Sequence, residues 1–175
     1  MGEVTETGGL DRREVVARLL ALRKKLLVVT GLGSASYDVM AAGDHENNYY
    51  LWAAMGKRRH SGPWSCDGPA GLFGSCCHRR RRMLMGFGAL ATIAIRKPAN
   101  LTLAVLDNGH FGETGMQESH AGRGLELDQD ARTCGFSWSN KITDLASVDD
   151  LRETSLRHQG TRMSFRPLYA RRPPL

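Results

Sequence analysis

Apolar residues recur along the chain with two alternating spacings. From 11 to 25, valines and leucines return every three to four residues, with acidic residues first and basic residues last, which is typical of a helix. The run LLVVT (26–30) is short, continuous and partly β-branched, as in a buried strand. The same order returns later, with a helix predicted for MLMGFGALATIAIRK (83–97) and a strand for NLTLAVLDN (100–108).

Weaker patterns complete the prediction: a short helix at YDVMAA (37–42), a helix at LELDQDARTCGF (125–136), a strand at SWSNKI (137–142) and a last helix at SVDDLRETSLRH (147–158). Alternating strands and helices predict an α/β fold, a parallel sheet with helices on both faces. Ligands of such sheets bind at the carboxyl ends of the strands. We therefore expect the site in the loops 31–36 and 107–117, within a single domain spanning 1–175.

The composition is that of one globular domain, since 175 residues with 41% hydrophobic content can bury a core. No apolar run approaches the roughly 18 to 20 residues that cross a bilayer. The first residues are polar and acidic, without the apolar segment of a signal peptide. We expect a cytoplasmic protein with no membrane partner.

The net charge of +6 is confined to one segment. Residues 57–82 contain seven basic residues and one acidic residue, Asp67, so the rest of the chain is neutral overall. A nucleic-acid-binding module through the arginine cluster is a remote alternative, because the segment lacks interleaved aromatic residues and any known motif. It also contains three of the four cysteines, but without the paired spacing of zinc ligands, so we interpret them as incidental thiols.

The stretch LDNGHFGETGMQESH carries the clearest chemistry. Asp107 and Asn108 follow directly on the predicted buried strand, where amide, carboxylate and backbone oxygens suit a hard cation such as Mg²⁺. An ordinary β-turn is the alternative, because Asn-Gly is a common turn pair. On the residues alone, the ordinary turn is the favoured interpretation, and the cation site stays open beside it.

Two separated blocks of the sequence resemble one enzyme family. They are LLVVTGLGSASYDVMAAGDHENNYYLWAAMG (26–56) and the stretch from MLMGFGAL to the end of the glycine-rich loop (83–124). Both resemble the cofactor half of thiamine diphosphate-dependent enzymes, and more narrowly the β-type subunit of sulfopyruvate and phosphonopyruvate decarboxylases. The resemblance implies a parallel-sheet fold, thiamine diphosphate and Mg²⁺ as cofactors, and a small 2-oxoacid substrate.

The resemblance also implies roles for individual residues. The Asn108 side chain and the backbone carbonyl of His110 match the family's Mg²⁺ ligands. The cofactor-binding residues that it implies are Gly33 and Ser34 near the diphosphate, the carbonyl of Ala53 as acceptor for the aminopyrimidine, Met55 as the side chain that props the cofactor in its bent shape, and Asn108. For Met55, plain core packing is the alternative.

The chain departs from the family at His78–Arg82, where the family has Thr-Gly-Asp-Gly-Glu. Arg80 replaces the metal-binding Asp, and a cation cannot ligate Mg²⁺. If this stretch is encoded CAC CGG CGA CGG CGA, a shift of one base gives ACC GGC GAC GGC GA, which encodes Thr-Gly-Asp-Gly and begins Glu. We therefore predict that 57–82 is a frameshifted segment that disrupts the fold locally, with a native basic loop as the alternative.

The resemblance further implies a partner chain. In this family the activating glutamate belongs to a pyrimidine-binding domain, so we expect an α-type partner subunit in a hetero-oligomer, and no catalytic residue is assigned to this chain. A non-catalytic pseudoenzyme, or the product of a decayed gene, is the alternative function. Residues 160–175 are basic and contain prolines, and we interpret them as a tail, with a second frame error as the alternative.

Overall fold

The computed structural model describes residues 10–23, 25–31, 33–51, 73–79, 84, 86–98, 101–111, 115–120, 123–157 and 164–171. In chain order the elements are β1 (Leu10–Asp11), α1 (Arg12–Leu20), β2 (Leu26–Gly31), α2 (Ser34–Ala41), β3 (Asn48–Leu51), β4 (Phe73–Arg79), α3 (Ala89–Arg96), β5 (Leu101–Asp107), β6 (His110–Phe111), β7 (Gln117–Glu118), α4 (Leu127–Thr133), β8 (Trp138–Ser139), α5 (Leu145–Arg157) and β9 (Ser164–Arg171).

Seven strands form one parallel sheet in the order β1-β9-β5-β4-β2-β3, with β8 also paired to β9. The short strands β6 and β7 form a separate antiparallel hairpin. The predicted fold class, a parallel sheet with helices on both faces, is confirmed. None of the helices in the described part of the chain is long and apolar enough to span a membrane.

Strand β5 is buried along its whole length and separates two apolar clusters. Leu103 and Val105 belong to the cluster that includes α3 and α4. Ala104 and Leu106 belong to the cluster that includes α1, α2 and α5. Because successive side chains of a strand point to opposite faces, a strand covered on both sides needs a continuous apolar run, which is the pattern seen in the sequence.

Two helices are shorter than their patterns predict. Helix α1 ends at Leu20, and Leu22 has a positive φ of 57°. Arg23, 8% exposed, instead donates to the carbonyl of Gly43 at 3.0 Å, so tertiary contacts outweigh the local helical pattern. Helix α3 begins at Ala89, after a turn at 86–88, because the glycines in that turn lower its helix propensity.

Two strands, β4 and β9, lie in segments for which the sequence predicts a disrupted region and a tail. Strand β4 falls within the predicted anomalous segment, yet it pairs in regular register with β2 on one side and β5 on the other. The remainder of 57–82 lies outside the described residues.

Strand β9 occupies Ser164–Arg171, where a tail was expected, and it pairs with β5. Pro167 lies between the residues that pair with β8 and those that pair with β1, in a stretch paired on one side only among the described strands. A strand tolerates the missing N–H of a proline in such a stretch.

Candidate functional site

The carboxyl ends of β2, β4 and β5 lie side by side at one edge of the sheet, here called the carboxyl edge. Arg79, the last residue of β4, is level with Leu106 of β5. Strand β2 ends at Gly31, one residue beyond the pairing of Thr30 with Cys77. This is the edge at which parallel α/β sheets bind ligands, and both loops predicted from the sequence follow strands that end here.

The turn from β2 into α2 is locked by hydroxyl groups. The Ser36 hydroxyl donates to the carbonyl of Gly31, and the Thr30 hydroxyl donates to Ser36 Oγ at 2.7 Å. Thr30 and Ser36 are both buried. Gly33 caps the helix with φ 93° and ψ −159°, a conformation open essentially to glycine alone. Gly31 and Gly33 therefore lie at a strand-to-helix junction that the Thr30 and Ser36 hydroxyls hold together.

Ser34 is the first residue of α2, and its hydroxyl is buried without a hydrogen-bond partner among the described residues. A buried hydroxyl normally has such a partner, and its absence costs free energy. The amino end of a helix also carries partial positive charge and unsatisfied N–H groups. A donor of this kind in this place fits an anionic oxygen supplied by a bound group.

The turn after β5 is organised by its own side chains. Asp107 is fully buried, and its Oδ1 accepts the N–H of Gly109 at 2.8 Å. Asn108 is half-buried, and its Oδ1 accepts the N–H of His110 at 3.2 Å. Gly109 has φ 70°, which allows the chain to reverse here. The turn thus presents an amide oxygen immediately beyond a buried strand.

The hairpin of β6 and β7 continues this turn. The N–H of Ser119 donates to the carbonyl of Gly109 at 2.8 Å, which makes the facing residues His110 and Glu118 a non-hydrogen-bonded pair. In such a pair the backbone N–H and C=O groups point away from the opposite strand. The carbonyl of His110 is therefore directed out of the hairpin, where a cation can use it.

The structure brings four of the predicted site residues to the carboxyl edge: Gly33 and Ser34 after β2, and Asn108 and His110 after β5. Three others, Ala53, Met55 and Arg80, lie outside the described residues. Their roles, like those of the first four, stay predictions.

Sequence reasoning missed the hydroxyl pair in the β2–α2 turn and the imidazole of His110 as structural groups. The two hydroxyls are six positions apart. The only signal for their contact in the sequence was the glycine and serine turn that separates them. Among the described residues, no group of three or more His, Cys, Asp or Glu side chains could hold a metal ion.

Solved structures share the fold of this chain. A protein from Mycobacterium smegmatis described as a thiamin diphosphate-dependent enzyme matches 95% of the chain with a TM-score of 0.74, at 15% identity and over 32% of its own length. Benzoylformate decarboxylase from Polynucleobacter necessarius matches 100% of the chain with a TM-score of 0.73, at 15% identity and over 36% of its own length. The chain has the fold of the thiamine diphosphate-dependent enzymes.

Curated relatives narrow the resemblance. Sulfopyruvate decarboxylase subunit beta of Methanocaldococcus jannaschii is 30% identical over 65% of this chain and 60% of its own length. The subunit of the same name from Methanococcus maripaludis is 26% identical over 88% of this chain and 82% of its own length. Phosphonopyruvate decarboxylase of Streptomyces viridochromogenes is 29% identical over 85% of this chain and 37% of its own length.

The predicted resemblance to sulfopyruvate and phosphonopyruvate decarboxylases is confirmed by these relatives. The chain spans 60% of the length of the first relative and little more than a third of the longer, phosphonopyruvate-type relative. No family model matches the chain.

Proposed function

We propose that this chain is the cofactor-binding subunit of a thiamine diphosphate-dependent 2-oxoacid decarboxylase of the sulfopyruvate and phosphonopyruvate type, with Mg²⁺ as the second cofactor. One observation carries the proposal. The turn after β5, in a chain similar to these decarboxylases, presents Asn108 and the carbonyl of His110 at the edge where β4 also ends. These oxygens fit a hard cation, and the buried Ser34 hydroxyl fits a diphosphate oxygen.

The residues of this chain would bind and orient the cofactor. The bound cofactor supplies the electron sink for cleavage of the bond to the substrate carboxylate. Asn108 and the carbonyl of His110 would hold the cation, and Ser34 would donate to the diphosphate. The hydrogen bond from the Gly109 N–H to the buried carboxyl group of Asp107 keeps this turn in place. The chain would thereby contribute to the reaction by positioning the cofactor and by the electrostatics of its surroundings.

A pyrimidine-binding α-type subunit is the partner that we propose, in a hetero-oligomer. Three of the relatives bear the name subunit beta, which supports a second kind of chain. The activating glutamate would come from that partner. Mixing the purified chain, repaired as described below, with such a partner should give 2-oxoacid decarboxylation that neither chain shows alone. Decarboxylation by the single chain would contradict the two-chain proposal.

We further propose that the chain as written binds the cofactor weakly, because Arg80 follows Arg79, which ends β4 beside Leu106 of β5. A guanidinium at this edge would repel the cation instead of ligating it. A frameshift within 57–82 explains how the motif was lost, and the nucleotide sequence of that segment would test this directly. The alternative function, a non-catalytic pseudoenzyme or the product of a decayed gene, rests on the same observation, namely that Arg80 follows the end of β4.

Restoring the motif is the decisive experiment. The repaired chain carries five substitutions: His78→Thr, Arg79→Gly, Arg80→Asp, Arg81→Gly and Arg82→Glu. Calorimetry with thiamine diphosphate should show binding that requires Mg²⁺ and is at least about tenfold tighter than that of the unrepaired chain, a difference of about 1.4 kcal/mol.

The matched control is the same repaired chain with Arg80→Ala instead of Arg80→Asp, which removes the positive charge without supplying a ligand. It should gain much less affinity than the repaired chain. If neither the repaired chain nor one re-encoded from the shifted frame across the whole of 57–82 binds, the cofactor-binding function is wrong. If the unrepaired chain binds as tightly as the repaired one, the proposed impairment is wrong.

A further inference from the structure

The two peptide units that follow β5 are each hydrogen-bonded at both ends. Between Asn108 and Gly109, the N–H donates to Asp107 at 2.8 Å, and the C=O lies 2.9 Å from Nδ1 of His110. Between Gly109 and His110, the C=O accepts from Ser119 at 2.8 Å, and the N–H donates to Asn108 Oδ1 at 3.2 Å. Neither peptide plane can rotate without breaking a bond.

One of these four bonds comes from an exposed side chain, the imidazole of His110. The carbonyl oxygen of Asn108 can only accept a hydrogen bond, so Nδ1 of His110 must carry the proton. The buried carboxylate of Asp107 holds the inner side of the same peptide unit. The imidazole therefore closes the turn from the solvent side, opposite the interior carboxylate.

We propose that the imidazole of His110 is a positioning residue for a divalent cation at the carboxyl edge. By holding the carbonyl of Asn108, it keeps the Asn108 amide and the His110 carbonyl in one orientation before the cation arrives. This role rests on the proposed function, because it assigns the purpose of the turn to the cation of the cofactor. A preformed pair of oxygen ligands binds more tightly than one that must first be ordered.

A matched pair of variants separates the hydrogen bond from the bulk of the side chain. In His110→Asn, the amide nitrogen stands at the same bond distance from the backbone as Nδ1 and keeps the donor. His110→Leu has nearly the shape of the asparagine variant but no donor. Amide hydrogen exchange at Gly109 and at position 110 should be faster by about two- to tenfold in the leucine variant and unchanged in the asparagine variant.

The ring itself gives a second readout in the unmodified chain. Nitrogen NMR of His110 at about pH 8.5 should show the tautomer with the proton on Nδ1. A ring protonated on Nε2, or equal amide exchange in the two variants, would overturn the proposal that the imidazole fixes the turn.

The cation is tested with Mn²⁺ and thiamine diphosphate in the background repaired at 78–82. His110→Leu should weaken metal-dependent binding by about two- to tenfold, and His110→Asn should restore it. Equal binding by both variants and their parent would overturn the positioning role. If the parent fails to bind even when the whole of 57–82 is re-encoded from the shifted frame, the proposed function is refuted, and the exchange and ring measurements then decide by themselves whether the imidazole fixes the turn.

Discussion

Polar groups gather at both edges of the parallel sheet, but their hydrogen bonds are completed differently. Where β2 and β3 begin, Arg23, Asp44, Asn48 and Tyr50 form what we call the amino-edge network. Asp44 accepts from the Tyr50 hydroxyl at 2.9 Å and from Asn48 Nδ2 at 3.3 Å. Arg23 donates to Asn48 Oδ1 and to the carbonyl of Gly43. These groups satisfy one another within the chain.

At the carboxyl edge, by contrast, hydrogen bonding among the described residues is incomplete. The turns are firmly held, but the buried hydroxyl of Ser34 has no partner among the described residues. The carbonyl of His110 is directed out of the hairpin. A buried polar group without a partner costs about 1 to 3 kcal/mol, which a protein tolerates where a ligand later completes the bond. The difference supports the proposal that the amino edge is structural and that the carboxyl edge binds the cofactor.

The largest effect is expected at Asp107, which ties β5 to the turn that follows. Asp107→Ala removes a fully buried acceptor and leaves the N–H of Gly109 without its partner, so we expect a loss of about 2 to 3 kcal/mol in the free energy of unfolding. Asp107→Asn keeps an acceptor oxygen and should lose about half as much. Urea unfolding measures both, and equal losses would show that the hydrogen bond to Gly109 contributes nothing.

Two serines in the β2–α2 turn test the same difference within one helical turn. Ser36→Ala removes a donor to the Gly31 carbonyl and the acceptor of the Thr30 hydroxyl, and should cost about 1 to 2 kcal/mol. Ser34→Ala removes a hydroxyl that has no partner among the described residues, and should change stability by less than about 0.5 kcal/mol.

The Ser34 variant should lose cofactor binding although it keeps its stability. In the background repaired at 78–82, Ser34→Ala should weaken thiamine diphosphate binding in calorimetry although the chain remains as stable. A clear loss of stability would show that the Ser34 hydroxyl has a structural partner. Unchanged binding would show that it has no role at the site.

The smallest effect is a pH dependence of the amino-edge network. The hydrogen bond from Tyr50, followed by those from Asn48 and the His45 N–H, lowers the pKa of Asp44. A carboxyl group with a lowered pKa stabilises the fold above its unfolded pKa, about 3.9, and this contribution is lost as the pH falls through the folded value. Tyr50→Phe should bring the pKa of Asp44 closer to its ordinary value.

The stability difference between the Tyr50→Phe variant and the parent chain should therefore narrow as the pH falls from about 6 to about 3. Urea midpoints across this range test the prediction. Asp144 serves as a control, because hydrogen bonds from Ser147 lower its pKa at the start of α5, far along the chain. NMR should show Asp144 titrating unchanged in the variant, and a constant stability difference would exclude a role for Asp44.

The sequence by itself determined the elements whose patterns are strong and local. The continuous apolar runs of β2 and β5, and the helical spacing in α1, predicted their elements because burial on one or both faces imposes a period that a short window reveals. The same patterns predicted the parallel sheet, and from it the position of Asn108 at a carboxyl end of a strand. The likeness of two blocks to one enzyme family predicted the rest of the site.

Tertiary structure decided what depends on distant partners. Strands β3, β4 and β9 have weak patterns of their own, and their pairing is set by the backbone groups that β2 and β5 present to them. The amino-edge network joins Arg23, from the connection before β2, and Asp44, from the connection before β3, to Asn48 and Tyr50 of β3 itself. Hydrogen bonds of this kind have no period along the sequence, because they are formed only when the sheet brings their donors and acceptors together.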